Sequence, residues 1–339
     1  MKFLTPLFLA ALLPAFAAGE DLWTTDLDAA RKTAAEGKKD LLLSFTGSDW
    51  CQGCIMLKER IFSEAVFREG VKDQFVLVEL DYPKNRTKLG EALVKRNELL
   101  LDQYFVAEFP TIILADELGR PYAQTSLSTY EPQGPADYVK HLTELRERRA
   151  IRDEALASAE KLAGLDRAKA LQAAIAAFPD ATVDAFYGEV VEKIHAADPD
   201  DATGFREARD YRKAVAGYEV TIEQLFDEGK FAEAIKAADD FVAKNDPSGF
   251  ERQHILMAKL MATVEIGTEA ASLALLEEIK TIAPHSEIGI EAARLKGRIT
   301  AFFAEEKKAP QPAAVPDSEA TPAPEGQSPC SEDLEKPND

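Results

Sequence analysis

The sequence predicts an α/β layered domain followed by an all-helical domain. Three changes of texture along its 339 residues carry that reading. From about Leu22 to Arg149, short apolar runs alternate with helical patterns, as when a sheet is layered with helices. From Ile151 to about residue 304 the strand signal vanishes, and alanine, leucine and charged residues recur at helical spacing. Residues 307–339 turn to low complexity, rich in proline and acid.

The elements follow in chain order. Met1-Lys2 leads into an apolar run, Phe3–Leu13, closed by small residues at Ala15 and Ala17. This reads as a signal peptide over residues 1–17, because a membrane span needs about 20 apolar residues and Glu20 and Asp21 arrive too early. The mature protein is therefore expected to be soluble and exported (periplasmic, if bacterial), where disulfides persist. Strands are predicted at Leu41–Phe45, Phe75–Leu80, Thr111–Leu114 and Tyr122–Ser126. The first is apolar enough to be buried on both faces. Helices are expected at Ala29–Glu36, at Cys54–Lys72 with a break near Ser63, and at Leu89–Tyr104.

Beyond Ile151, Pro179, Pro199, Pro247 and Pro284 mark helix ends. Gly229 leads a helix that stops at Pro247, and Gly267 leads another that stops at Pro284, a period suited to stacked helical hairpins. The first of these units resembles the second helix of a tetratricopeptide repeat. A plain bundle is the alternative. Phe231, Ile235, Ala238 and Val242 are its expected core positions. The tail cannot bury enough apolar area to offset chain entropy and is predicted to be disordered, with Cys330 incidental within it.

With 40 Lys and Arg against 60 Asp and Glu, the net charge of -20 repels phosphate backbones and anionic lipid. Neither a nucleic-acid partner nor a stable membrane span is expected. Three cysteines are too few for a disulfide scaffold.

The chemistry lies in Phe45-Thr46-Gly47-Ser48-Asp49-Trp50-Cys51-Gln52-Gly53-Cys54, a CxxC between a strand and a helix. Two sulfurs across a first helical turn close a disulfide with little backbone movement. At the N-cap, unpaired N–H groups and the macrodipole favour the thiolate of the first. Cys51 is thus the attacking sulfur and Cys54, a turn inside, the resolving one. The competing readings are an inert structural disulfide, a zinc site and a copper-handling dithiol. Zinc needs about four ligands, and His141, His195, His254, His285 and Cys330 show no short-spaced pair. No metal and no cofactor is expected.

Residues 22–149 resemble the thioredoxin superfamily, in particular exported bacterial members in which Phe-Thr-Gly-Ser-Asp-Trp-Cys-x-x-Cys opens the active-site helix. Trp50 matches the family tryptophan, and Val106–Thr111 resembles the segment carrying the family's cis-proline. The resemblance implies a thioredoxin fold, a central mixed sheet flanked by helices, with a cis Phe109–Pro110 bond facing the disulfide. It also implies client contacts at Trp50, Phe109, Pro110 and Thr111. One departure stands out. Many members carry a buried aspartate in the strand before the CxxC, and here that strand reads Leu43-Ser44-Phe45-Thr46. Water, Glu59, Glu79 or Asp81 must serve instead, or no dedicated base does.

A helix N-terminus contributes about 0.3–1 kcal/mol to a thiolate, up to roughly 2 when partly buried, so it lowers the pKa of Cys51 by about one unit. Gln52 and Gly53 add no positive charge, and Asp49 opposes the thiolate. The expected activity is thiol-disulfide exchange on exported protein clients, reducing or isomerising rather than strongly oxidising, fed by a separate electron donor. The alternative is a non-catalytic client-binding or scaffold module.

Overall fold

A computed structural model describes residues 22–306; the expected signal peptide and the tail with Cys330 lie outside them. The chain divides into two compact units, split between Ala216 and Gly217.

The first unit is built on a five-stranded mixed sheet. Its strands are β1 (Trp23–Thr24), β2 (Asp40–Thr46), β3 (Phe75–Asp81), β4 (Thr111–Ala115) and β5 (Pro121–Ser126), in the order β1-β3-β2-β4-β5. β3 runs parallel to β1 and β2, whereas β4 is antiparallel to β2, and β5 to β4. The four predicted strands are present within a residue or so of their expected ends. β1 escaped because two residues carry no periodicity.

Helices cover both faces. β2 is buried nearly throughout and alternates between two cores. Leu42 points to the layer holding Leu57, Ile61, Phe67 and Leu142, contributed by α2 (Gln52–Leu57), the π-helical turn Lys58–Phe62, α3 (Ala65–Val71) and α5 (Pro135–Ala159). Leu41, Leu43 and Phe45 point the other way. They pack with Ala30 of α1 (Leu27–Gly37) and with Leu100 of α4 (Glu91–Gln103). Asp26 caps α1 by accepting from the N–H groups of Asp28 and Ala29 at 3.1 and 3.0 Å. The break expected near Ser63 falls there, after the π-helical turn and before α3.

α5 runs unbroken across residues 149–151, where the texture of the sequence changes. The physical cause is Arg152, a fully buried side chain that pairs with Asp116 of the β4–β5 turn at 3.0 Å and donates to Tyr187 Oη at 2.9 Å. Tyr187 in turn donates to the Pro121 carbonyl at 2.7 Å. These contacts tie the corner between α7 (Asp180–Phe186) and α8 (Gly188–Ala197), which follow α6 (Gly164–Ile175), to the sheet.

The chain continues through α9 (Phe205–Asp227) into α10 (Phe231–Asn245), α11 (Gly249–Ile266), α12 (Glu269–Ile282) and α13 (Glu287–Glu306). Pro247 and Pro284 follow the ends of α10 and α12, as their fixed φ and missing N–H dictate. On α10, burial centres on Ala234, Ala238 and Phe241, with Phe231, Ile235 and Val242 half-buried beside them. Among the described residues no helix is long and apolar enough to cross a membrane.

Candidate active site

Cys51 and Cys54 are joined in a disulfide, their Cα atoms 5.2 Å apart. Strand β2 ends at Thr46, and a tight turn brings Cys51 to the N-cap of α2, where its N–H donates to the Gly47 carbonyl at 2.9 Å. Its own side chain is the cap: Cys51 Sγ accepts from the Cys54 N–H at 3.2 Å. Cys54 Sγ accepts from the Gly47 N–H at 3.4 Å. Each sulfur thus faces a backbone N–H of the turn.

Both cysteines are buried. Cys51 is 7% exposed and Cys54 3%. Cys51, at the N-cap, is the less buried of the two, and Cys54 lies a turn inside α2.

The Phe109–Pro110 bond is cis, and Pro110 packs against the CxxC turn at Gly53. Trp50, 37% exposed, donates from Nε1 to the Tyr82 carbonyl at 2.8 Å and meets Phe109 edge-on at 5.6 Å between centroids. Tyr82 lies 5.2 Å from the same ring. An aromatic wall thus stands beside the cis-proline. Thr111 is placed differently from its neighbours. It is fully buried in β4 and donates its hydroxyl to the Glu108 carbonyl at 2.8 Å, supporting the loop from beneath.

Two parts of the site were not read from sequence. Glu108 accepts hydrogen bonds from the Ser126 and Ser128 hydroxyls, both at 2.5 Å, and these hold its carboxyl below the usual range. They tie the cis-proline loop to the end of β5. Gly47 is the other: a methyl group there would lie 2.5 Å from the Trp50 indole, so only glycine leaves the ring its seat.

Asp49 also departs from expectation. Its carboxylate accepts from the Lys84 N–H at 2.8 Å and the Asn85 N–H at 3.3 Å, and pairs with Lys88 at 3.1 Å. The Lys84 amide is the main reason its carboxyl titrates below the ordinary value. With its charge engaged by three donors, Asp49 clamps the 84–88 loop rather than opposing Cys51.

Of the three acids weighed as proton partners, Glu59 is exposed on the π-helical turn. Asp81 is occupied by the Ser48 N–H and hydroxyl at 2.9 and 2.6 Å. Glu79 alone borders a cavity shared with Cys54. Among the described residues no group of three or more His, Cys, Asp or Glu side chains is placed to hold a metal ion.

Residues 27–133 match the family model described as a thioredoxin-like domain. The chain is similar to the disulfide bond reductase DsbH of Chlamydia pneumoniae, 35% identical over 101 residues, which are 30% of this chain and 58% of that protein. It also resembles the thioredoxin-related protein DsbJ of the same organism, 30% identical over 120 residues, 34% of each chain. The chain thus spans little more than half the length of the first relative and a third of the second. A solved structure titled DsbH Oxidoreductase shares 28% identity, covering 42% of this chain and 95% of that one with a TM-score of 0.35.

Proposed function

We propose that the protein is a thiol-disulfide oxidoreductase of exported proteins, working through Cys51 and Cys54 as a reductase or isomerase. One observation carries the reading: a cysteine that caps its own helix, beside a cis-proline loop and an aromatic wall. In the reduced enzyme the Cys51 thiolate attacks a client disulfide, forming a mixed disulfide and releasing one client thiolate. Cys54 then attacks Cys51 Sγ. The client leaves with two electrons and the Cys51–Cys54 bond reforms. Trp50, Phe109 and Pro110 supply the client surface, and Thr111 holds the loop in place.

The direction follows from the charges around the pair. The helix terminus is the main source of positive potential, since Gln52 and Gly53 carry none. Strongly oxidising dithiols need a thiolate stabilised by several pKa units, more than one helix terminus provides. The name of the relative DsbH, a disulfide bond reductase, points the same way. Export is supported by the apolar Phe3–Leu13 run closed by Ala15 and Ala17, and a separate donor outside the chain must return electrons to the pair.

Equilibration of the Cys51/Cys54 pair against glutathione tests this. The expected potential lies nearer that of thioredoxin, about -270 mV, than the about -120 mV of a strong oxidant. A Cys51→Ser variant should lose insulin reduction, and Cys54→Ser should accumulate mixed disulfide. If the wild type neither reduces insulin nor traps a client through Cys54→Ser, the chain is a non-catalytic binding module instead.

A further inference from the structure

We propose that Lys84 selects clients whose reactive cysteine is flanked by an aspartate or glutamate. This deepens the reading above and rests on it. The Lys84 ammonium stands over the Trp50 indole, 5.9 Å from the ring centroid. Trp50 immediately precedes Cys51 and keeps 37% of its surface exposed. A cation at this distance is attracted to the electron-rich face of the ring. The contact holds a positive charge where a client lying across Trp50 meets it.

The loop is built to present that ammonium. Tyr82, at its start, donates its N–H to the Thr46 carbonyl at 2.8 Å and accepts from Trp50 Nε1 at 2.8 Å. Ring and loop are thus joined through one residue. Further on, Asn85 caps the short helical turn Arg86–Lys88, its Oδ1 accepting from the Thr87 N–H at 3.2 Å and the Thr87 hydroxyl at 2.6 Å. Asp49 holds the Lys84 amide, which fixes the Cα from which the side chain extends. An exposed ion pair is weakened by the entropy of ordering two long side chains, and here one end is anchored in advance.

The division of charge leaves this lysine available. The loop carries Lys84, Arg86 and Lys88. Arg86 pairs with Glu98 at 2.7 Å and Lys88 with Asp49 at 3.1 Å. Asp49 thus takes the backbone of Lys84 but the ammonium of Lys88, and among the described residues the Lys84 ammonium has no carboxylate partner. Across the aromatic wall the sign changes. Glu108, two residues before Pro110, is held by the Ser126 and Ser128 hydroxyls, which leave its charge in place. An acidic client side chain is therefore drawn to the Trp50 side and repelled from the cis-proline side. The net charge of -20 opposes such a client only from afar, because at physiological salt charges beyond about 8 Å are largely screened. The nearest charge decides.

The test uses symmetric disulfide dimers of a short peptide with one cysteine and Glu, Gln or Lys beside it. The full chain, reduced and freed of reductant, is mixed with each dimer, and the peptide thiol released is measured after acid quenching. Each rate constant is divided by that of the same dimer with dithiothreitol, which removes differences in intrinsic reactivity. At low salt the wild type should favour the Glu dimer over the Lys dimer about threefold or more, with Gln between them. Lys84→Gln should level the three rates, and Lys84→Glu should reverse their order. The readout is a ratio within one protein, so a general loss of activity in a variant cancels. Raising the salt to about 0.5 M should compress the wild-type ratio toward one, and this arm needs no variant. Equal normalised rates in the wild type overturn the proposal, as does a Glu preference that survives Lys84→Glu or high salt. A wild type that reduces none of the dimers overturns the dithiol reading itself.

Discussion

Gly53 lies directly against Pro110: a methyl group at position 53 would sit 3.1 Å from Pro110 Cδ and 2.8 Å from Leu127 Cδ1. The turn between the two cysteines and the cis-proline loop therefore touch at a point with no room for a side chain. Leu127, just beyond β5, completes the contact. The Leu127 methyl is the free end of a side chain and yields easily, whereas the Pro110 ring is fixed to its loop.

Gly53→Ala is expected to push the cis-proline loop away from the disulfide. Overpacking of this kind costs about 1–3 kcal/mol. Urea unfolding should register that loss, and mixed-disulfide formation by the Cys54→Ser background should slow. Adding Leu127→Ala should restore part of the stability, because it removes the closer of the two contacts. If Gly53→Ala is as stable and as fast as its parent, the contact has no functional weight.

Asp49→Asn should free the 84–88 loop while leaving the Cys51 pKa within about half a unit of wild type, since a compensated carboxylate exerts little field on its neighbour. The Asp49 carboxyl is depressed below its ordinary value, mainly by the Lys84 amide. Its clamp is fully present above the unfolded carboxyl value and is lost as pH falls through the lower, folded one. At neutral pH, trypsin should therefore cut at Lys84, Arg86 or Lys88 faster in the variant than in wild type. A Cys51 pKa that drops by a full unit in Asp49→Asn would restore the opposing role first ascribed to this acid.

Much of this site was legible before any coordinates. The CxxC between a strand and a helix has a local cause, and so do the strands, whose apolar runs must be buried. What stayed hidden depends on contacts between segments distant in sequence. Glycine at 47 and 53 is visible as a letter, yet the indole of Trp50 and the ring of Pro110 that require it are known only once the turns meet. Asp49 looked free because the amides of Lys84 and Asn85, more than thirty residues away, leave no mark on sequence charge counts. That Glu79, of three candidate acids, borders the cavity beside Cys54 depends on the register of β2 with β3. The continuity of α5 across residues 149–151 is likewise hidden in the sequence, because the charged residues at this change of texture are held by buried partners.

Asp40 illustrates how that end of the fold is secured. It is fully buried at the start of β2, accepts from Tyr122 Oη at 2.7 Å and Arg146 Nε at 2.6 Å, and also pairs with Arg149. Removing one member of a buried pair strands the others, at a cost of about 3–5 kcal/mol. Both arginines are partly solvated, and Arg149 keeps Glu117 and Asp153, so the lower end applies. Asp40→Asn should lower unfolding stability by about 3 kcal/mol without changing the Cys51/Cys54 potential, because the cluster is remote from the sulfurs. A loss below about 1 kcal/mol would mean the cluster behaves as a surface pair.

His141 gives the fold a pH dependence with a definite sign. Its ring stacks on Tyr130 at 3.6 Å between centroids, and Nε2 lies 3.0 Å from Thr125 Oγ1. Burial, the largest cause, pushes its pKa below the ordinary 6.5, with Glu144 and Asp137 pulling back. The unfolded chain therefore takes up the proton more readily than the folded one. Where the two states differ in bound protons, stability rises with pH, so the contribution of neutral His141 is complete above 6.5 and is lost as pH falls toward the depressed native value. His141→Phe keeps a ring against Tyr130 but cannot titrate. Its urea midpoint should fall less than that of wild type between about pH 7.5 and pH 5, whatever the offset from losing the Thr125 contact. Parallel curves for the two proteins would show that His141 takes up its proton equally well folded and unfolded, and the burial argument would fail.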